Sequence, residues 1–154
     1  MRYKVLLSVT CAAIGFNSIG CFADTGNMPV TATVLAVCKL NSTPTLAFGT
    51  LDPSSGANVT QSATVSFWCS QGTTYSISPD NGLHYDSTNA SRRMKGPGAS
   101  DFIPYSLSPA SATGTGAGTS TALNLSFSGT VQGSNYVNAT VGSYSDTVVI
   151  TITP

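Results

Sequence analysis

The sequence predicts an all-β sandwich, and three observations carry that prediction. Glu is absent and Lys is scarce, while Thr, Ser, Gly, Asn and Val supply most of the chain. Exposed helix faces normally use Glu and Lys, whereas β-branched residues suit a pleated surface. Short segments of alternating polarity recur, and turn chemistry separates them. No stretch has the apolar spacing of an amphipathic helix, so a sandwich of short strands is the expected architecture.

The segments run in order. Val30–Val37 (VTATVLAV) alternates first, and Leu46–Phe48 is a short second, closed by Gly49 and Asp52-Pro53. Ala63–Cys69 places Val65 and Phe67 on one face. Tyr75–Ile77 ends at Pro79-Asp80-Asn81-Gly82, a strong turn signal. Ile103–Leu107 and Leu123–Phe127 continue the pattern. Asp146–Thr153 closes it, with Val148, Ile150 and Ile152 in register. Two stretches read as loops: the Gly/Thr-rich 113–120, expected to be mobile, and the cationic 91–100, expected to be a solvated turn.

The first residues read as an address. A short cationic start (Arg2, Lys4) precedes an apolar run from Val5 to about Ile19, and Cys21-Phe22-Ala23 offers small residues for cleavage. That is the order of a secretory signal peptide over residues 1–23, removed after Ala23. The run falls short of the ~20 apolar residues of a membrane span. Cys11 and Cys21 leave with the signal, and Cys38 and Cys69 remain. An even pair in an oxidising compartment reads as one disulfide, worth up to about 3–4 kcal/mol in the chain-entropy picture. The alternative is two buried free thiols.

Charge excludes some functions. Beyond Ala23, four cations (Lys39, Arg92, Arg93, Lys95) face six aspartates, so no basic face exists for nucleic acid. His84 is the single histidine, which leaves no ligand set for zinc once the two Cys are paired. A triad from His84 with Asp80 or Asp86 lacks a G-x-S-x-G elbow. The GxGxG of residues 113–120 has neither a following helix nor a nearby Lys, so it is not a phosphate loop. The sequence therefore predicts no catalytic, cofactor-binding or metal site.

The ordered motifs resemble one family. They are Val30-Thr-Ala-Thr-Val34 leading to Cys38, Leu46-Ala-Phe48-Gly49, Cys69 at a strand end, and Thr74-Tyr75-Ser-Ile77-Ser before Asn81-Gly82. Arg92/Arg93-Met94, Ile103-Pro-Tyr105-Ser-Leu107 and Gly142-Ser-Tyr144-Ser-Asp146-Thr-Val148-Val-Ile150-Thr-Ile152-Thr complete them. Together they resemble the spore coat protein U domain, the subunit type of archaic (Csu-type) chaperone–usher pili.

The resemblance implies an immunoglobulin-like sandwich that lacks its final strand and is completed by a strand from a neighbour. It implies a Cys38–Cys69 disulfide, a donor extension over residues 24–37 and a pilin domain over 38–154. Met28, Val30, Ala32, Val34 and Ala36 share one parity, so an extended chain points them to one side. They are the expected donor residues, the alternative being that Val30–Val37 is the first strand of the chain's own sandwich. Val148, Ile150 and Ile152 are expected to edge the groove and pair with a chaperone. The implied partners are other copies or related pilins, a periplasmic chaperone and an outer-membrane usher. A competing reading is a self-sufficient secreted sandwich or coat protein. It would recognise carbohydrate or a surface through Tyr75, Tyr85, Tyr105 or Trp68.

Overall fold

A computed structural model describes residues 22–42 and 44–154. The chain divides into two units between Thr33 and Val34. In the first, Phe22–Thr33 has no regular secondary structure and its side chains are exposed. The expected signal, residues 1–23, lies outside the described residues except for Phe22 and Ala23.

The second unit holds eight strands: β1 (Cys38–Ser42), β2 (Val59–Cys69), β3 (Thr74–Pro79), β4 (Arg92–Lys95), β5 (Phe102–Ser108), β6 (Ala112–Thr115), β7 (Leu123–Val131) and β8 (Ile150–Thr153). A five-stranded sheet has the order β1-β2-β7-β5-β4, and a three-stranded sheet the order β6-β3-β8. All pairings are antiparallel. The expected all-β, immunoglobulin-like class is what the chain adopts.

The long β2–β7 pair is the spine. Its register runs from Val59↔Val131 to Phe67↔Leu123. On the outer face Thr60 and Thr64 meet Thr130 and Ser126 through hydroxyl pairs at 2.8 Å. The inner face buries Val65, Phe67 and Phe127. Each such side chain contributes roughly 1.5–3 kcal/mol on full burial. Ile77 of the smaller sheet packs on them together with Cys69. β1 also approaches β8, so the two sheets close on each other at the disulfide end.

Farther along, a second cluster forms from Ile103, Tyr105, Val131 and Tyr136. No strand of the smaller sheet crosses it among the described residues. Phe48, Leu51, Ala139, Tyr144 and Val148, all outside regular strands, pack over it instead.

Several local expectations need correction. Val30–Val37 is not a strand, and regular strand β1 begins only at Cys38. Leu46–Phe48 alternates inward yet pairs with nothing. Only Ile150–Thr153 of the expected Asp146–Thr153 strand is regular, because β3 stops at Pro79 and the residues before Ile150 meet only the scattered bonds of Asp80 and Leu83. The cationic stretch 91–100 contains edge strand β4, held by β5 and by Arg93 and Lys95 lying over the Phe102 ring at 4.3 and 4.9 Å. The 113–120 stretch begins as part of β6 and is then anchored: Gly116 N–H donates to Thr73 O at 2.7 Å and Gly118 N–H to Cys69 O at 3.0 Å. Sequence composition hid both, since neither shows apolar alternation.

Candidate functional site

The second cluster floors an open groove of about 1240 Å³. Ala63 and Val65 of β2, Phe127 of β7, and Ile103, Tyr105 and Leu107 of β5 form its base. One wall is the extended segment 44–51, and the other is 139–150. Sequence dictates the first wall's seat. Gly129 of β7 is buried, and a Cβ there would overlap Leu46 and press on Phe48. The missing side chain lets Leu46 and Phe48 lie directly on the sheet, with the Phe48 ring 6.0 Å from that of Tyr105.

Both walls offer unpaired backbone. Among the described residues, no hydrogen bond engages the main chain of 44–51. In the second wall, Val149 O accepts from Asp80 N–H at 2.9 Å and Thr147 O from Leu83 N–H at 3.2 Å. Antiparallel strands alternate their bonding edge from residue to residue. Thr147 and Val149 therefore bond toward the smaller sheet. Val148 and Ile150 turn their N–H and C=O groups the other way, toward the groove, while their side chains pack inward. The result is an apolar trough flanked by two backbone edges that carry unpaired groups among the described residues.

Polar groups fix the second wall. Tyr105, 8% exposed, donates its hydroxyl to Asp146 Oδ2 at 2.7 Å. Burial first, and then this bond, holds that phenol protonated well above the ordinary tyrosine range. Asp146 Oδ1 accepts from Leu83 N–H at 3.0 Å. Asp80 Oδ1 accepts from Gly82 N–H at 2.9 Å and Val149 N–H at 3.0 Å. Gly82 adopts φ +80°, and a Cβ there would overlap the Asp146 carboxylate. The Asn81-Gly82 turn thus serves the wall as well as the chain reversal.

The sequence-derived residues fall as follows. Cys38 and Cys69 are joined, S–S 2.02 Å. Val148 and Ile150 line the groove, whereas Ile152 packs in the cluster at the disulfide end. Met28, Val30 and Ala32 in the first unit, and Val34 and Ala36 in the second, are all exposed. Leu35 and Val37, on either side of Ala36, have their carbonyls held by Ser70. Tyr105 is buried beneath the groove, so its ring is not a surface for stacking sugars. His84 rests near Phe102, 6.2 Å between rings, and its carbonyl accepts from Arg93 Nε. No group of three His, Cys or Asp side chains among the described residues could hold a metal ion. No helix among them is long and apolar enough to cross a membrane.

Sequence reasoning missed three contributors. Tyr136, 2% exposed, plugs the far end and donates to Ala57 O at 2.6 Å. Its neighbours Gly133-Ser-Asn135 carry no pattern that marks a core residue. The Tyr105–Asp146 bond spans separate motifs. Leu46–Phe48, within the 44–51 wall, reads as an ordinary strand because its alternation is genuine and only its pairing is absent among the described residues.

Comparisons with known proteins agree with this fold. A family model described as the Spore Coat Protein U domain matches residues 24–151. No curated protein matches the chain. Among solved structures, the chain is similar in fold to one in the CsuC–CsuE chaperone–tip adhesion subunit pre-assembly complex from archaic chaperone-usher Csu pili of Acinetobacter baumannii. The TM-score is 0.52 and the identity 24%, over 78% of this chain and 40% of that one. This chain therefore spans less than half the length of that neighbour.

Proposed function

This chain belongs to the Spore Coat Protein U domain family, and we propose that it is a non-catalytic structural subunit of a chaperone–usher surface fibre, polymerised by strand donation. The observation that carries the reading is the groove, whose two facing walls, 44–51 and 139–150, leave backbone edges unpaired. Its occupant in the fibre is the extension of another copy or a related pilin. Residues 24–37 supply that extension, with Met28, Val30, Ala32 and Val34 entering the trough. Ala36 lies between two residues held by Ser70 and sits at the root. Full burial of Met28 and the two valines contributes roughly 1.5–3 kcal/mol each.

An open apolar edge is an aggregation hazard before assembly. A periplasmic chaperone covering the Val148–Ile152 edge, followed by exchange at an outer-membrane usher, removes it. The route implied is export with loss of residues 1–23, then the periplasm and the cell surface. The fibre's service is adhesion or biofilm formation.

The test is to compare the chain from Asp24 with one lacking residues 24–36. The truncated form should fail to polymerise yet still accept a synthetic peptide spanning 24–37. Val30→Asp combined with Val34→Asp should block fibres and leave the sandwich folded by circular dichroism. A chain that stays a stable soluble monomer with no chaperone present sinks the proposal.

A further inference from the structure

The second groove wall changes sheets as it runs, and one residue stands at the crossing. Before it, Ser145 exchanges both backbone hydrogen bonds with Lys95 of β4 in the larger sheet, at 2.8 and 3.0 Å. After it, Thr147 and Val149 accept from Leu83 and Asp80, next to β3 in the smaller sheet. Asp146 lies between the two regimes. Its carboxylate reaches both layers: Tyr105 Oη on β5 of the larger sheet, and Leu83 N–H beyond β3 of the smaller one.

We infer that Asp146 and Tyr105 form a strut that sets the spacing of the groove wall from its floor, which makes both of them positioning residues for strand acceptance. The inference rests on the strand-accepting reading of the groove. Its physical basis is the missing strand. In a closed sandwich a neighbouring strand would hold the wall's free edge through backbone bonds. Here, among the described residues, Val148 and Ile150 have no such partner on that edge, and the Tyr105–Asp146 bond supplements the backbone bonds that hold the wall's other edge.

Three further features agree with one another. The Tyr105 ring belongs to the groove floor and its hydroxyl is the strut's donor, so floor and wall are joined within one bond. Gly82 leaves room for the carboxylate that no other residue type would leave. Asp80 secures the next stretch of wall through Val149 N–H. A bond to a carboxylate is among the stronger hydrogen bonds, and it fixes a direction as well as a distance. A wall held in this way presents the Val148 and Ile150 backbone groups at a constant depth. An incoming strand then avoids the cost of ordering that edge.

The experiment uses the chain from Asp24 in four forms: unaltered, Tyr105→Phe, Asp146→Ala and the double variant. Tyr105→Phe keeps the ring and removes only the donor. Hydrogen exchange at the Leu83 and Val149 amides should quicken about tenfold in Tyr105→Phe, the fold-change one charge-assisted bond is worth. Uptake of the 24–37 peptide should slow by a similar factor. The double variant should be no worse than Asp146→Ala alone, since Asp146→Ala already removes the Tyr105–Asp146 bond that Tyr105→Phe takes away. Exchange and uptake unchanged in Tyr105→Phe would overturn the strut. If the unaltered chain takes up no peptide, the strand-accepting reading fails, and the exchange measurement still decides whether the strut holds the wall.

Discussion

Ser70 stands opposite Val37, one rung beyond the Cys38–Cys69 disulfide, and donates its N–H to the Val37 carbonyl at 2.8 Å. The hydroxyl of Ser70 accepts from Val37 N–H at 3.2 Å, and Leu35 O lies 3.2 Å from it as a further partner. The disulfide therefore does not end the ordered ladder. Ser70 prolongs it, through Val37, as far as the Leu35 carbonyl.

Ser70→Ala keeps the backbone rung and removes the hydroxyl. The cost to global stability should be no more than about 1 kcal/mol, as for one ordinary hydrogen bond. The local effect should be larger in kind. Proteolytic cleavage between Leu35 and Val37 should become several times faster, read by mass spectrometry of timed digests. Equal cleavage rates would show that the hydroxyl does not hold this stretch.

Removing the disulfide should cost far more. Its two cysteines are 31 residues apart in the chain, and a loop of that size is worth about 3–4 kcal/mol in the chain-entropy picture. Cys38→Ala with Cys69→Ala should lower urea-unfolding stability by about 3 kcal/mol. The loss should show first in β1, whose ladder pairing is with β2 alone.

Tyr136 offers a graded test of the far end of the core. Tyr136→Phe leaves the ring and abandons the Ala57 carbonyl, at a cost of about 1–2 kcal/mol. Tyr136→Ala opens a cavity as well and should cost about 3–5 kcal/mol. Thermal or denaturant unfolding of the two variants separates the bond from the packing.

Asp86 predicts an acid-sensitive corner. Its carboxyl is held below the usual range, chiefly by the Asn89 side-chain amide, with smaller help from backbone N–H groups and Arg93. A depressed folded-state pKa contributes stability above the unfolded value of about 3.9, and that stability fades as pH falls through the folded value. The gap in melting temperature between the unaltered chain and Asp86→Ala should be widest near about pH 7. It should narrow below about pH 4, as scanning calorimetry across pH would show.

The sequence by itself determined the class. The absence of Glu, the abundance of β-branched residues and the turn at Asn81-Gly82 leave no alternative to short antiparallel strands, because these are local preferences that act within a few residues. It also put Val65 and Phe67 on one face, which proves to be the inward one, since alternation maps directly onto a strand's two faces. Pairing partners are not local. Leu46–Phe48 and Asp146–Val149 alternate like strands, and only the tertiary structure decides that no strand lies between them. The edge strand β4 was invisible for the opposite reason: Arg92, Arg93 and Lys95 form a strand because β5 and the Phe102 ring are there to hold them. The Tyr105–Asp146 bond joins residues 41 positions apart. Periodicity cannot encode such a contact. It exists because the chain crosses between sheets at Asp146, where a carboxylate can reach both.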